Sequence, residues 1–225
     1  MTERPTGSRA DTTRRQILRA AAHQFARRAY HEVGLDDILA EAELTKGAMY
    51  FHFRSKHALA IAVIEEQIAT GTAAFADLFA RELSGLETLV DLVFWLAVED
   101  ITQDVTRASL HLVEAIGRVE DLHATLLGGW IQTFARVVQD AIADGDVDEG
   151  CDPEDVGRLI VSLYLGLRHT SNLDEPERFL HDLEKSWALL LPGILRPDRI
   201  DYFRQFIGRR AALANSATTA GATHD

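Results

Sequence analysis

Cysteine is almost absent: Cys151 is the only one in 225 residues, so no disulfide can form within the chain and nothing implies an oxidising compartment. A lone thiol is more simply a core residue than a redox sensor, which would need a pKa-lowering environment. The first ten residues, MTERPTGSRA, lack an apolar segment, and no run of ~18 apolar residues occurs anywhere. No membrane is therefore expected, and the cytoplasm is the expected location. Strand-like alternation and internal repeats are missing too. So are an HExxH pair, a nucleophile motif and a Gly-rich phosphate loop, which leaves no case for an enzyme, a cofactor or catalytic residues.

The apolar fraction of 47% suffices for a real core. Charge divides the chain unevenly. Residues 1–57 hold 10 Lys or Arg against 7 Asp or Glu, whereas residues 58–225 hold 13 against 28, within an overall net charge of −12. Such acidity argues against nucleic acid as a partner for the whole chain, but a mildly basic head on an acidic body lets the head alone meet phosphates.

Residues 35–57 carry that local case. Leu35, Ile38, Leu39 and Ala42 recur at helical spacing, with Asp36 and Asp37 at the positive end of the dipole. Glu43 and Leu44 then lead to Thr45, whose hydroxyl can cap a second helix from Lys46 to about His52. So short a helix is not stable alone. Ala48, Met49 and Phe51 are expected to hold it to its neighbours and to leave Lys46, Tyr50 and His52 on the other face. Two short helices joined by a tight turn, the second showing donors and an aromatic ring, predict a helix-turn-helix.

The run Thr45-Lys46-Gly47-Ala48-Met49-Tyr50-Phe51-His52-Phe53, followed by Ser55-Lys56, closely resembles the recognition helix of the tetracycline-repressor (TetR) family of dimeric regulators. Phe25 to Tyr30 resembles the end of that family's first helix. The motif spans about the first quarter of the chain. It departs from the family pattern at Ala29 and Glu43, where glycine is common; either site, if left-handed, costs about 1 kcal/mol without glycine.

Double-stranded DNA is accordingly the expected partner, through Thr45, Lys46, Gly47, Tyr50, His52 and Lys56. Thr45 and the first amides of the helix can hold a phosphate, and Gly47 lets the backbone come close. Tyr50 and His52 can donate to phosphates, Lys46 can reach a base edge or a phosphate, and Lys56 a flanking phosphate. Each residue taken singly fits a solvated helix face equally well; the assembled motif favours DNA. A small head makes few contacts, so a homodimer on a roughly palindromic operator is expected.

Elsewhere the pattern is helical throughout. Residues 1–10 read as a disordered arm, and Arg4 and Arg9 are more simply a solvated tail than a minor-groove arm. A first helix covers 11–28, with Ile17, Leu18, Ala21, Ala22 and Phe25 on one face. Ser55 caps a long helix that runs to about residue 82 and is ended by Gly85, roughly 40 Å of lever between head and body. Helices follow at about 86–102, 106–117 and 121–143. The loop Gly145 to Asp152 resembles a calcium loop in composition only, without its ligand spacing. His111 and Glu114, three apart, could chelate with His169 or His181, but no second local pair supports a metal, and none is expected.

Pro153 opens a helix that is apolar nearly all round, either central in the body or paired with another subunit. Pro176 opens the next, which stops at Pro192-Gly193, and a last segment covers 200–213 before a disordered tail from Asn215. The resulting expectation is all-α: a helix-turn-helix domain over 1–57, a ligand-binding and dimerisation domain over 58–214, and a tail over 215–225.

For a ligand, Trp130 follows Gly128-Gly129, with Phe134, Val137 and Val138 below it. An indole can wall an apolar pocket and donate one hydrogen bond, although Trp95, Trp130 and Trp187 singly fit a core role as well. Gly129-Trp130-Ile131, the run Val161 to Arg168, and Trp187 through Ile194 are similar to the γ-butyrolactone receptor branch of the TetR family. In that branch the tryptophan matching Trp130 lines the pocket. The resemblance implies a small apolar signal held by Trp130, Phe134, Ser162 and Trp95, with Tyr164 and Thr133 as further polar candidates. The implied function is a ligand-released repressor. The alternatives are a repressor sensing another apolar metabolite or antibiotic, and a non-sensing pseudo-receptor.

Overall fold

Apolar side chains three and four apart run through nearly the whole chain, and the backbone follows them. The structure, a computed structural model, describes residues 9–117 and 122–221. In chain order it contains α1 (Arg9–Arg27), α2 (Leu35–Glu41), α3 (Lys46–His52), α4 (Lys56–Phe79) and α5 (Gly85–Thr102). After these come α6 (Asp104–Ile116), α7 (Leu122–Ala143), α8 (Pro153–Thr170), α9 (Pro176–Ile194) and α10 (Ile200–Gly221). Among the described residues there is no strand, only an isolated bridge between Val147 and Leu195. The fold is all-α. Of the arm expected over residues 1–10, Arg9 and Ala10 belong to the first turn of α1, and residues 1–8 lie outside the described residues.

By packing, the chain divides into two units. The first holds α1, α2, α3, α4 as far as Thr72, and α6; the second holds the rest of α4, α5 and α7 to α10. The sequence placed α6 in the body. It joins the first unit because Ile17, Leu18, Ala21 and Phe25 of α1 bury their face partly against it, each large side chain stabilising by about 1.5–3 kcal/mol. Buried Thr106 adds a bond to Gln67 Oε1 at 3.0 Å, joining α6 to α4.

In the second unit α5 is the helix covered on nearly every side. Leu86, Leu89, Val90, Leu92, Val93, Phe94, Leu96 and Ala97 are all buried. Gly85 does not end α4; it opens α5, where a Cβ would lie 2.3 Å from the Ala141 nitrogen of α7. What ends α4 is a turn through Glu82 at φ 54°. The all-round burial expected as one possibility for residues 153–170 therefore belongs to α5. α8 buries Val156, Ile160, Val161 and Tyr164 but leaves Leu159 47% exposed, and α9 leaves Leu189 83% exposed.

Two ends differ from expectation. α9 runs through Pro192 to Ile194, because a proline in a last turn forfeits one backbone bond while Leu195 N–H still reaches Leu191 O at 2.9 Å. α10 continues to Gly221 through the stretch read as a disordered tail. Ala211, Ala214 and Thr218 extend the buried stripe of Ile207, so small residues at helical spacing serve as packing residues. Residues 222–225 lie outside the described residues. The acidic loop is closed internally: buried Asp146 receives Nε of Arg199 at 2.7 Å. α4 is, by length and a mean hydropathy of 1.3, apolar enough to cross a membrane. Its exposed Glu65 and Glu66, side by side near mid-helix, would be costly in hydrocarbon.

Candidate nucleic-acid interface and ligand cavity

The reading helix is positioned from three sides. Gly34 N–H donates to Asp37 Oδ2 at 2.9 Å and Arg28 donates to the same oxygen at 3.0 Å, fixing the start of α2. Both hold the Asp37 carboxyl below the usual carboxylate range, the amide contributing most. Gln16 of α1 donates to Ala42 O at 2.9 Å, tying down the turn. Glu43 turns the chain at φ 53°, the left-handed region that glycine favours; Ala29 stays out of it. Thr45 Oγ1 then accepts from Ala48 N–H at 3.4 Å and starts α3 as expected.

At 3.6 residues per turn, Gly47 and Phe51 lie opposite buried Met49, Tyr50 stands at right angles to it, and exposed Lys46 lies on the flank nearer Met49. Tyr50 is 54% exposed and Phe51 78%. This corrects the sequence reading twice. Phe51 does not hold α3 in place; Met49 does, with help from Phe53 below the helix, whose ring Arg14 covers at 5.5 Å. His52 lies toward the packed side, half-buried, its ring edge-on to Phe51 with centroids 5.0 Å apart. Helical spacing within α3 itself turns Phe51 away from Met49.

Lys46 sits in the expected place, its ammonium 2.7 Å from Asp36 Oδ1, both side chains well exposed. Lys56 does not. Its Nζ donates to Tyr30 O at 2.8 Å and Val33 O at 2.9 Å and lies 4.3 Å from the Tyr30 ring centroid. The ammonium assigned to a flanking phosphate is thus committed to two backbone carbonyls and a ring within the fold.

In the second unit, Val93 and Leu96 of α5, Trp130 and Phe134 of α7, and Val161 and Tyr164 of α8 surround one apolar cavity. It encloses about 10 Å³, room for no more than one water. Trp130 and Phe134 are where the sequence put them. Ser162 is not: it is exposed on the other face of α8. Trp95 is half-buried with its ring edge-on to Phe75, centroids 5.4 Å apart, and is not among the residues lining the cavity. Thr133 gives its hydroxyl to Gly129 O at 2.9 Å. Val93 and Leu96 carry no signal in sequence beyond being apolar.

Behind the cavity lies a buried polar knot. Tyr164 donates its hydroxyl to Asp100 Oδ2 at 3.0 Å, and Arg168 donates Nε to the same oxygen at 2.6 Å. Burial, then the Asp100 charge, push the Tyr164 pKa well up, so this phenol stays a donor. Among the described residues no cluster of three His, Cys, Asp or Glu could hold a metal, and His111 points Nδ1 at Phe25 O, 3.3 Å away.

Comparison with known proteins agrees with this geometry. Residues 17–63 match the family of bacterial regulatory proteins named for tetR. The A-factor receptor protein of Streptomyces griseus is 32% identical over 202 residues, covering 88% of this chain and 69% of the receptor. A crystal structure of a γ-butyrolactone receptor, an ArpA-like protein, superposes with a TM-score of 0.79 at 32% identity over 91% of this chain and 99% of the other. The regulator CprB of Streptomyces coelicolor, solved with its biological operator sequence, superposes at 0.78 and 32% identity, over 90% and 98% of the two chains. An outward cationic and phenolic face on a helix-turn-helix, backed by relatives over nearly the full length, places this chain in the TetR family of bacterial transcriptional regulators.

Proposed function

We propose that this regulator is a homodimeric repressor that binds a palindromic operator in the cytoplasm and is released by a small apolar signal of the γ-butyrolactone class. The observation that carries the DNA reading is the exposure of Lys46, Gly47 and Tyr50 on a helix anchored by buried Met49 and capped by Thr45. Residues 1–57 serve as the reading head. Two such heads read two half-sites, and the exposed Leu159 of α8 and Leu189 of α9 supply apolar anchors for pairing two bodies.

The signal enters between α5, α7 and α8, where Trp130 and Phe134 wall the cavity. With room for one water, the cavity must widen on binding, so the signal stabilises a body conformation other than this one. Operator affinity falls by the ratio of the signal's affinities for the two states. The same closed cavity is the observation that favours the second reading, a pseudo-receptor that senses no butyrolactone.

Gel shifts on the DNA flanking the chain's own gene test both. Lys46→Ala and Tyr50→Ala should weaken the shift while size-exclusion chromatography still shows a dimer. Added γ-butyrolactone should release the wild type, while Trp130→Ala stays bound. Unchanged affinity in the first pair overturns the contact assignment; no release by any butyrolactone favours the pseudo-receptor.

A further inference from the structure

We infer that Phe51 reads thymine, through the base's C5-methyl group, in each half-site of the operator; the inference rests on the DNA-binding reading. Phe51 is the most exposed large apolar residue in the helix-turn-helix, at 78%. It contributes nothing that α3 needs for packing, since Met49 is fully buried and Phe53 is 5% exposed beneath the helix. It shares the outward face with Gly47, and exposed Tyr50 adjoins it. His52, edge-on at 5.0 Å, supports the ring from the packed side.

Gly47 occupies the centre of that face, one turn before Phe51. A Cβ there would meet nothing closer than Thr45 Oγ1 at 4.0 Å, so folding does not require the glycine. Its effect is to leave the face lowest where a duplex would come nearest, bringing the Phe51 ring within reach of base edges.

The chemistry of the ring then selects the base. A phenyl group neither donates nor accepts, so it cannot bond a phosphate or any of the polar groups on a base edge. The major-groove edges of G, C and A present only donors and acceptors, and thymine alone adds an apolar group. A phenyl ring seated against any base leaves polar edge groups unpaired, O4 of thymine included, and only thymine's methyl contact offsets that cost. It therefore selects for thymine by contact and against the other three by desolvation. Lys46 and Tyr50 beside it act on every sequence alike wherever they meet phosphates, so they supply affinity while Phe51 supplies choice.

The test uses the full-length protein. Duplexes are selected from a random library, and each thymine of the enriched half-site is replaced in turn by uracil, which lacks only the methyl. At one thymine per half-site, uracil should weaken wild-type binding about fourfold, the value of withdrawing one methyl from water, and the two half-sites together more than tenfold. Phe51→Ala, which removes an exposed side chain and should leave the melting temperature unchanged, should bind the thymine and uracil duplexes equally. If no uracil replacement separates wild type from Phe51→Ala, Phe51 reads no thymine. If the wild type enriches no duplex, the DNA-binding reading fails and takes this inference with it.

Discussion

Lys56 closes the base of the helix-turn-helix by capping Tyr30: its ammonium lies 4.3 Å from that residue's ring centroid and donates to its carbonyl at 2.8 Å, with Val33 O as second acceptor. Replacing Lys56 by methionine keeps the stem but leaves both carbonyls without a charged donor, a loss of about 2 kcal/mol. Urea unfolding should show that loss. Operator affinity measured against salt should keep its slope, whereas removing one phosphate contact from each half-site would flatten it by about 1.8. A flattened slope would return Lys56 to the phosphates.

Glu43 holds φ 53° without the freedom of glycine. Glu43→Gly should stabilise the protein by about 1 kcal/mol, raising the melting temperature by about 2–4 °C in a chain of this size. Ala29→Gly, at a residue outside that region, should not. Equal shifts from the two substitutions would mean that chain entropy, not the left-handed turn, sets the effect.

Asp100 and Arg168 form an ion pair whose side chains are 0% and 2% exposed. Asp100→Ala removes the carboxylate from a buried guanidinium and should cost about 3–5 kcal/mol. Tyr164→Phe, which leaves Arg168 on the same carboxylate, should cost only about 1 kcal/mol. Chemical denaturation that found the two variants alike would show the knot to be looser than its geometry.

Asp37 receives Gly34 N–H and Arg28, which lower its pKa. A depressed carboxyl contributes stability that is present above its unfolded pKa and lost as pH falls through the folded value. The start of α2 should therefore loosen below about pH 4. Asp37→Asn should lower the melting temperature at pH 7 and converge on the wild type in acid, so that its melting temperature falls less steeply in that range. An unaltered acid limb would locate the sensitivity elsewhere.

The helices were legible wherever apolar residues recur at three and four and a cap or proline marks an end. Thr45, Ser55, Pro153 and Pro176 all open helices as their chemistry requires. The ends that misled were those with weak chemistry. Gly85 reads as a terminator but is a close-approach residue, and the stretch from Asn215 reads as a disordered tail but continues α10 and packs through Thr218. At the candidate sites, Lys46 and Tyr50 are exposed on α3, and Trp130 and Phe134 line the small cavity. Lys56 and Ser162 did not, because a lysine's acceptors and the facing of a serine depend on neighbours distant in sequence.

By itself the sequence determined the helix-turn-helix, the all-α architecture and the relation to butyrolactone receptors, because caps, helical periodicity and a short motif are local properties. Only the tertiary structure decided that Lys56 serves the fold and that the cavity behind Trp130 is nearly closed. Those outcomes follow from which surfaces meet across long stretches of chain, and local spacing does not encode them.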